Sequence, residues 1–324
     1  MPPRPFTIVS YGEVLWDLLP TGPVIGGAPF NFACRAASLG DRSVMVSRLG
    51  RDERGRDAMR CISELGVETS YIQWDEERPT GTVNVTLDAG GIPDYFITPD
   101  AAYDRIALSQ KLLDLAANAD CICYGMIARR GPESAATLER LLAAFKGRFA
   151  LLDLNLRKNC WTPESIAASI GGAGMLKLND HELDVAAGIF AIPAGPIAER
   201  ARALLNRTKL THVVVTLGEG GAFAASRDGQ SVYRPGFSVK LVDTVGSGDA
   251  FTAGFLHTLL SSGTLADACM FGNALGALVA GQRGATQPTP LASIRAVLQE
   301  GVPMPPDARF AAPSECNHGE DGGA

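Results

Sequence analysis

The chain has 324 residues, 46% apolar and 20% charged, enough material for a large folded core and far from a disordered composition. Its net charge of −6 gives no global electrostatic reason to hold nucleic acid or an anionic membrane, so neither is expected as a partner. Seven cysteines, an odd number at irregular spacing and without a Cys-x-x-Cys pair, argue against a zinc ribbon and point to free thiols in a reducing cytoplasm.

The start, Met1-Pro-Pro-Arg-Pro5, leads into an apolar strand without the apolar core of a signal peptide. No stretch approaches the ~20 apolar residues of a membrane span. Strand and helix patterns then alternate. Residues 6–11 read as a strand ending at Gly12, and 29–39 as a helix with Pro29 in its first turn, where proline is tolerated. Residues 43–49 form a strand and 52–65 an amphipathic helix stopped by Gly66. Helices over 109–117, 132–146, 180–189 and 197–206 alternate with strands over 120–124, 149–153, 175–178 and 211–216. Such alternation predicts a mostly parallel sheet with helices on both faces, and ligands beyond the carboxyl ends of the strands. Cys121 and Cys123 fall in one of these strands and read as core residues.

One segment departs from the pattern. Val83, Val85 and Leu87 alternate with Thr82, Asn84 and Thr86, a turn follows over 88–91, and residues 94–97 return. This predicts a β-hairpin with one apolar face. A lid over a site, or a second copy of the chain, would cover that face.

The chemistry concentrates in Val242-Asp-Thr-Val-Gly-Ser-Gly-Asp-Ala-Phe251. A helix pattern follows, with Phe255, Leu256, Leu259 and Leu260 on one stripe, which places the N–H groups of Gly246, Ser247 and Gly248 at a helix N-terminus. Free N–H groups and the positive end of the helix dipole make an anion site there, and glycine lets a ligand approach closely. Asp249 stands one residue beyond. An anion hole beside a proton-accepting carboxylate suits phosphoryl transfer. The same residues could make an ordinary helix cap. No Walker A spacing occurs, and Gly218-Glu-Gly-Gly221 lacks the Rossmann spacing.

Taken together, these ten residues resemble the C-terminal signature of the PfkB carbohydrate kinases of the ribokinase family, and the likeness extends over roughly residues 8–300. Gly12-Glu-Val-Leu-Trp-Asp17 and Gly26-Gly-Ala-Pro-Phe-Asn31 are similar to that family's sugar-binding segments. The resemblance implies that Asp17 and Asn31, beside Gly26 and Gly27, hold sugar hydroxyls. Asp153-Leu-Asn-Leu-Arg157 is similar to a segment of fructokinase-like and 2-keto-3-deoxygluconate kinase-like members, and implies that Arg157 faces substrate or phosphate. Lys177-Leu-Asn-Asp-His-Glu182 resembles an Asn-x-x-Glu element tied to magnesium, with Glu182 acting through water; His181 carries no role. Thr216, Gly218 and Gly221 match the segment bordering ATP, as Asn179, Gly246 and Gly248 do on the phosphate side. Asn273 and the Gly284-Ala-Thr286 turn match the adenine walls, and Asp243 a monovalent-cation site.

Ala28-Pro29 replaces the Lys-Gly-Ala pattern of ribokinase and leans the reading toward the fructokinase branch. The resemblance therefore implies a ribokinase-like α/β fold over residues 1–303, with a β lid mainly from 12–28 and 70–98, while residues 304–324, rich in Pro, Ala, Gly and acid, read as a loose tail. It implies an ATP- and Mg2+-dependent sugar kinase, with K+ as a further ion, acting first on fructose. Asp249 would be the base, Gly246, Ser247 and Gly248 the anion hole, and the lid the surface of a homodimer. The alternatives are a 2-keto-3-deoxygluconate kinase, a nucleoside kinase on the same scaffold, and a catalytically silent sugar sensor.

Overall fold

The computed structural model describes residues 5–87 and 93–310. In chain order, β1 (Thr7–Tyr11) is followed by two short strands, β2 (Leu15–Leu19) and β3 (Gly22–Gly26), and by α1 (Ala28–Ser38). Next come β4 (Arg42–Gly50), α2 (Glu53–Glu64), β5 (Ile72–Asp75) and the hairpin strands β6 (Gly81–Leu87) and β7 (Pro93–Ile97). Helices and strands then alternate, with one helix pair before β11: α3 (Gln110–Asn118), β8 (Cys121–Gly125), α4 (Pro132–Ala144), β9 (Phe149–Asp153), α5 (Pro163–Gly172), β10 (Met175–Asn179), α6 (Asp180–Ile189), α7 (Ile197–Arg207) and β11 (His212–Thr216). The chain ends with β12 (Ala222–Ser226), β13 (Ser231–Arg234), α8 (Ser247–Leu260), α9 (Leu265–Ala280) and α10 (Leu291–Glu300).

Nine strands form one sheet in the order β13-β12-β11-β10-β9-β8-β1-β4-β5. Neighbouring strands from β11 through β5 run parallel; β12 is antiparallel to both of its neighbours. This is the ribokinase-like α/β arrangement expected from the sequence. Both faces are buried because successive side chains point to opposite sides. Ile8, Cys121 and Cys123 join the cluster under α1, α8 and α9, while Val9, Tyr11, Ile122 and Tyr124 join the one under α3 to α7. The two cysteines are core residues, as their pattern predicted.

The strand order reverses beside β1. The chain first proceeds from β1 to β4 and β5, then crosses to β8 on the other side. Loops leaving β1 and β8 diverge there and open a crevice at their carboxyl ends.

Over that crevice lies a second sheet, β3-β2-β6-β7. Its root is fixed. Thr80 donates its N–H and hydroxyl to Asp52 at 2.8 and 2.7 Å, and Asp52 caps α2 by accepting the Gly55 N–H at 2.7 Å. Gly81 follows, where an added Cβ would lie 2.2 Å from the Tyr103 ring.

The lid differs from expectation in extent. Residues 72–75 pair in parallel with β4 at the edge of the large sheet, so the lid's second piece begins at Gly81 rather than near residue 70. The turn expected over 88–91 lies outside the described residues. Val83 is buried with Leu15, Tyr103 and Ile127, so the chain's own body covers that position of the apolar face.

The loose tail also needs correction over residues 304–310, which dock on the body. Met304 donates its N–H to the Gly236 carbonyl at 2.8 Å, and Phe310 stacks on Tyr233 with centroids 4.5 Å apart. Tail-like composition conceals one aromatic anchor whose partner lies far away in sequence. Among the described residues no helix is long and apolar enough to cross a membrane.

Asp52→Ala removes a helix cap and the lid's anchor together, and should cost about 1–3 kcal/mol of unfolding free energy by urea titration at pH 7. The Asp52 carboxyl is desolvated, but its bonds from Thr80 and Gly55 outweigh that and hold its pKa below the ordinary value. Its contribution is therefore present above the unfolded pKa near 4 and should fade as pH falls through the lower folded value.

Candidate active site

A cavity of about 1080 Å³ occupies the crevice. Residues following β1, β9, β10 and β11 line it, the lid roofs it, and the amino end of α8 points into it.

Gly246 caps α8 in the left-handed conformation, φ 77°, with no side-chain acceptor. A Cβ there would sit 2.3 Å from that of Ala285, so only glycine lets this turn lie against the loop after α9. Ser247 departs from expectation: its N–H donates to the Thr244 carbonyl at 3.2 Å, holding the turn closed. The N–H groups of Gly246, Gly248 and Asp249 have no protein acceptor among the described residues. A first helical turn with unmet donors carries partial positive charge. Lys177 stands beside it, since a Cβ on Gly248 would lie 3.4 Å from its Nζ. Lys177 is buried and donates to Asp153 Oδ1 at 3.1 Å, while Thr252 of α8 donates to Asp153 Oδ2 at 2.9 Å.

Asp249 stands in the same first turn of α8 and reaches α1. Asn31 Nδ2 donates to its Oδ2 at 2.9 Å. Burial and the nearby Asp153 carboxylate push the Asp249 pKa up to about 6, against the lowering effects of Asn31, Lys177 and Arg157. The group is thus ionised at neutral pH yet basic for a carboxylate.

The lid side supplies the remaining polar wall. Strand alternation turns Leu15, Asp17 and Leu19 toward the cavity. A Cβ on Gly26 would fall 2.6 Å from Asp17 Oδ2, so glycine on β3 makes room for that carboxylate. Desolvation raises the Asp17 pKa to about 6, with the Arg157 charge opposing it. Gly27, φ 114°, caps α1, and a Cβ there would meet the Glu13 carbonyl at 2.6 Å. Asn31 Oδ1 and Glu13 Oε2 are buried polar atoms without a protein partner. Acceptors without partners beside carboxylates are what a polyhydroxyl ligand can satisfy.

Arg157 also borders the cavity, after Asn155 with φ 39°. Glu182 fixes this loop: its Oε1 accepts the Leu156 N–H and its Oε2 the Asn179 N–H, both at 2.8 Å. Asn179 Oδ1 accepts the Glu182 N–H at 2.8 Å in return, completing a capping box. With both oxygens engaged, Glu182 fits a metal better through water than directly. No cluster of three or more His, Cys, Asp or Glu suited to a metal exists among the described residues.

At the far end Thr216, Gly218 and Gly221 line the cavity after β11, facing Asn273 on α9. Asn273 donates to the Arg234 and Pro235 carbonyls at 3.1 and 2.9 Å, so its amide pins the end of β13. Asp243 accepts the N–H groups of Val245 and Gly284, both at 3.0 Å, and ties the α8 approach to the turn after α9. Val239, Leu241 and Val245 expose apolar side chains along this mouth, a surface suited to a flat ring.

Apart from Thr286, the site residues named from sequence thus line one cavity. Three further polar residues were not assigned. Glu13 and Lys177 sit in or just after apolar strands at their carboxyl ends, a placement that could have flagged them. Arg35 sits on the buried stripe of α1 and grips the carbonyls of Ala285 and Gln287 and the Thr289 hydroxyl. Its signal was an arginine among apolar helix positions.

The model of the pfkB family carbohydrate kinases matches residues 21–292. Fructokinase-2 of Solanum habrochaites is 30% identical over 321 residues, covering 91% of this chain and 96% of its own. A fructokinase from Xylella fastidiosa, solved with bound ATP, superposes with a TM-score of 0.79 at 25% identity over 91% of this chain and 98% of its own. A Vibrio cholerae O395 fructokinase, solved with fructose, ADP and calcium, gives 0.76 at 26% identity over 91% and 99%. The chain belongs to the pfkB family of carbohydrate kinases. It is a sugar phosphotransferase.

Glu13 offers a test of the site's electrostatics. Burial raises its pKa to about 7, against bonds from the backbone N–H of Ala28 and of Glu13 itself. A carboxyl raised in this way favours the fold at low pH, and that contribution is lost as pH rises from about 4.5 to 7. Glu13→Gln should therefore melt higher than wild type at pH 8, with the difference vanishing near pH 5, by differential scanning fluorimetry.

Proposed function

We propose that the protein transfers the terminal phosphoryl group of ATP to the primary hydroxyl of D-fructose, giving fructose 6-phosphate. The observation that carries this reading is Asp249. It is a basic, Asn31-bonded carboxylate one residue beyond acceptor-free N–H groups at a helix N-terminus. The fructokinases to which the chain is similar support the choice of sugar, as does Ala28-Pro29 in place of the ribokinase pattern.

In this reading the two ends of the cavity divide the work. Asp17, Asn31 and the unpartnered oxygen of Glu13 hold sugar hydroxyls and aim one at Asp249. Asp249 accepts that hydroxyl's proton as its oxygen attacks phosphorus. The N–H groups of Gly246 and Gly248, with Lys177 beside them, hold the charge on the transferring group. Thr216, Gly218, Gly221 and Asn273 form the nucleotide wall. Magnesium, when bound with the triphosphate, supplies charge neutralisation; Asn179 and Glu182 would hold it through water. A monovalent cation would stand beside Asp243.

Arg157 favours a second reading. Its charge bears on both Asp17 and Asp249, and could instead receive a sugar acid's carboxylate, as in a 2-keto-3-deoxygluconate kinase. Coupled ADP release across fructose, ribose, adenosine and 2-keto-3-deoxygluconate decides. Fructose should lead in kcat/KM; a tenfold preference for the acid, about 1.4 kcal/mol, would replace the sugar and keep the kinase. Sugar binding without ADP release would mark a silent sensor.

Asp249→Asn should lower kcat about 10²–10⁴-fold while leaving ATP affinity unchanged by calorimetry. Wild-type kcat should fall as pH drops below about 6, where the base becomes protonated. A variant retaining a tenth of wild-type turnover would remove Asp249 from that role.

A further inference from the structure

The segment that composition marks as a tail instead forms part of the cavity wall. Ser238 donates its N–H to the Val302 carbonyl at 2.8 Å, and Met304 to Gly236 at 2.8 Å; Met304 itself borders the cavity. Asp307 then donates its N–H to the Tyr233 hydroxyl at 2.7 Å, and that hydroxyl donates to the Gly220 carbonyl at 2.8 Å. A Cβ on Gly220 would lie 2.9 Å from Asp307 Oδ2, so the segment rests directly on the glycine turn after β11. Phe310 stacks on Tyr233 at 4.5 Å and on Phe223 at 5.3 Å, which anchors the segment's end to β12 and β13. Arg309 bridges Asp307 at 2.7 Å and Asp180 at 2.8 Å, and Asp180 is the first residue of α6, next to Asn179.

One short stretch therefore touches the turn after β11, the ends of β12 and β13, and the start of α6. We propose that residues 304–310 are a built-in clamp that preorganises the nucleotide half of the site, with Asp307, Arg309 and Phe310 as positioning residues for ATP. The proposal rests on the placement of the nucleotide given above. Gly218 and Gly221, at φ 59° and 91°, are the residues most costly to order when a ligand arrives. Pinning their turn from outside removes part of that cost before binding. Exposed ion pairs contribute little alone, so the ring stack does most of the holding and Arg309 sets direction.

The test uses the full chain and MgATP. Phe310→Ala and Arg309→Ala should raise the ATP Kd by calorimetry, and the KM for ATP, about 3–10-fold. Turnover at saturation and the KM for fructose should stay within about twofold. Phe310→Tyr, which keeps the stack, should restore ATP affinity. A lowered melting temperature with unchanged ATP Kd in both alanine variants would show a merely structural contact and overturn the clamp. Ala280 ends α9, the helix of Asn273, and lines the cavity, so Ala280→Phe places a ring on that wall and separates the two readings. If it weakens ATP while the clamp variants do not, only the clamp fails. If it too leaves ATP binding unchanged, the nucleotide lies elsewhere and both readings fall.

Discussion

The site hangs on Asp153. One carboxylate oxygen takes the Lys177 ammonium and the other the Thr252 hydroxyl, so β9, β10 and α8 meet at a single buried group. A buried ion pair gains little net energy over apolar packing, but losing one partner strands a charge in a low dielectric. The arrangement is therefore hard to loosen. It sets α8 so that its amino end, its lysine neighbour and Asp249 all face the cavity. Gly246 against Ala285, and Arg35 gripping the loop behind Ala285, fix the same helix end from the other side.

From that point the cavity acquires two electrostatic halves. Toward the lid stand Asp17 and Glu13, with Asp249 at the boundary, carboxyls whose pKa values desolvation pushes upward and whose oxygens, with Asn31, accept hydrogen bonds. Toward α8 stand unmet backbone donors and Lys177. A neutral hydroxyl-rich molecule suits the first half and a polyanion the second, and Asp249 lies between them. Arg157 lowers the pKa of each of these three carboxyls, so it tempers the repulsion among them.

Several residues read from sequence as ligand contacts also serve as structural ties. Glu182 and Asn179 cap each other and hold the Leu156 loop, Asn273 pins β13, and Asp243 joins two loops. Each spends hydrogen bonds on backbone groups that line the cavity, so wall geometry depends on the same side chains that border the ligand space. Asn179 stands at the carboxyl end of β10, where backbone donors have left the ladder and can take such a bond.

The sequence by itself determined the alternation of strands and helices, the glycine-flanked amino end of α8 and the carboxylate after it. Those features follow from local periodicity and local backbone freedom, which a linear reading can count. The family motifs carried the remaining wall residues. Tertiary structure alone decided which polar groups meet: Asn31 with Asp249 across 218 positions, Thr252 with Asp153, and Arg35 with the loop after α9. It also drew residues 72–75 out of the lid into the large sheet and laid Phe310 on Tyr233. Such pairings depend on where the sheet's switch point brings distant strand ends together, and no local pattern encodes that distance.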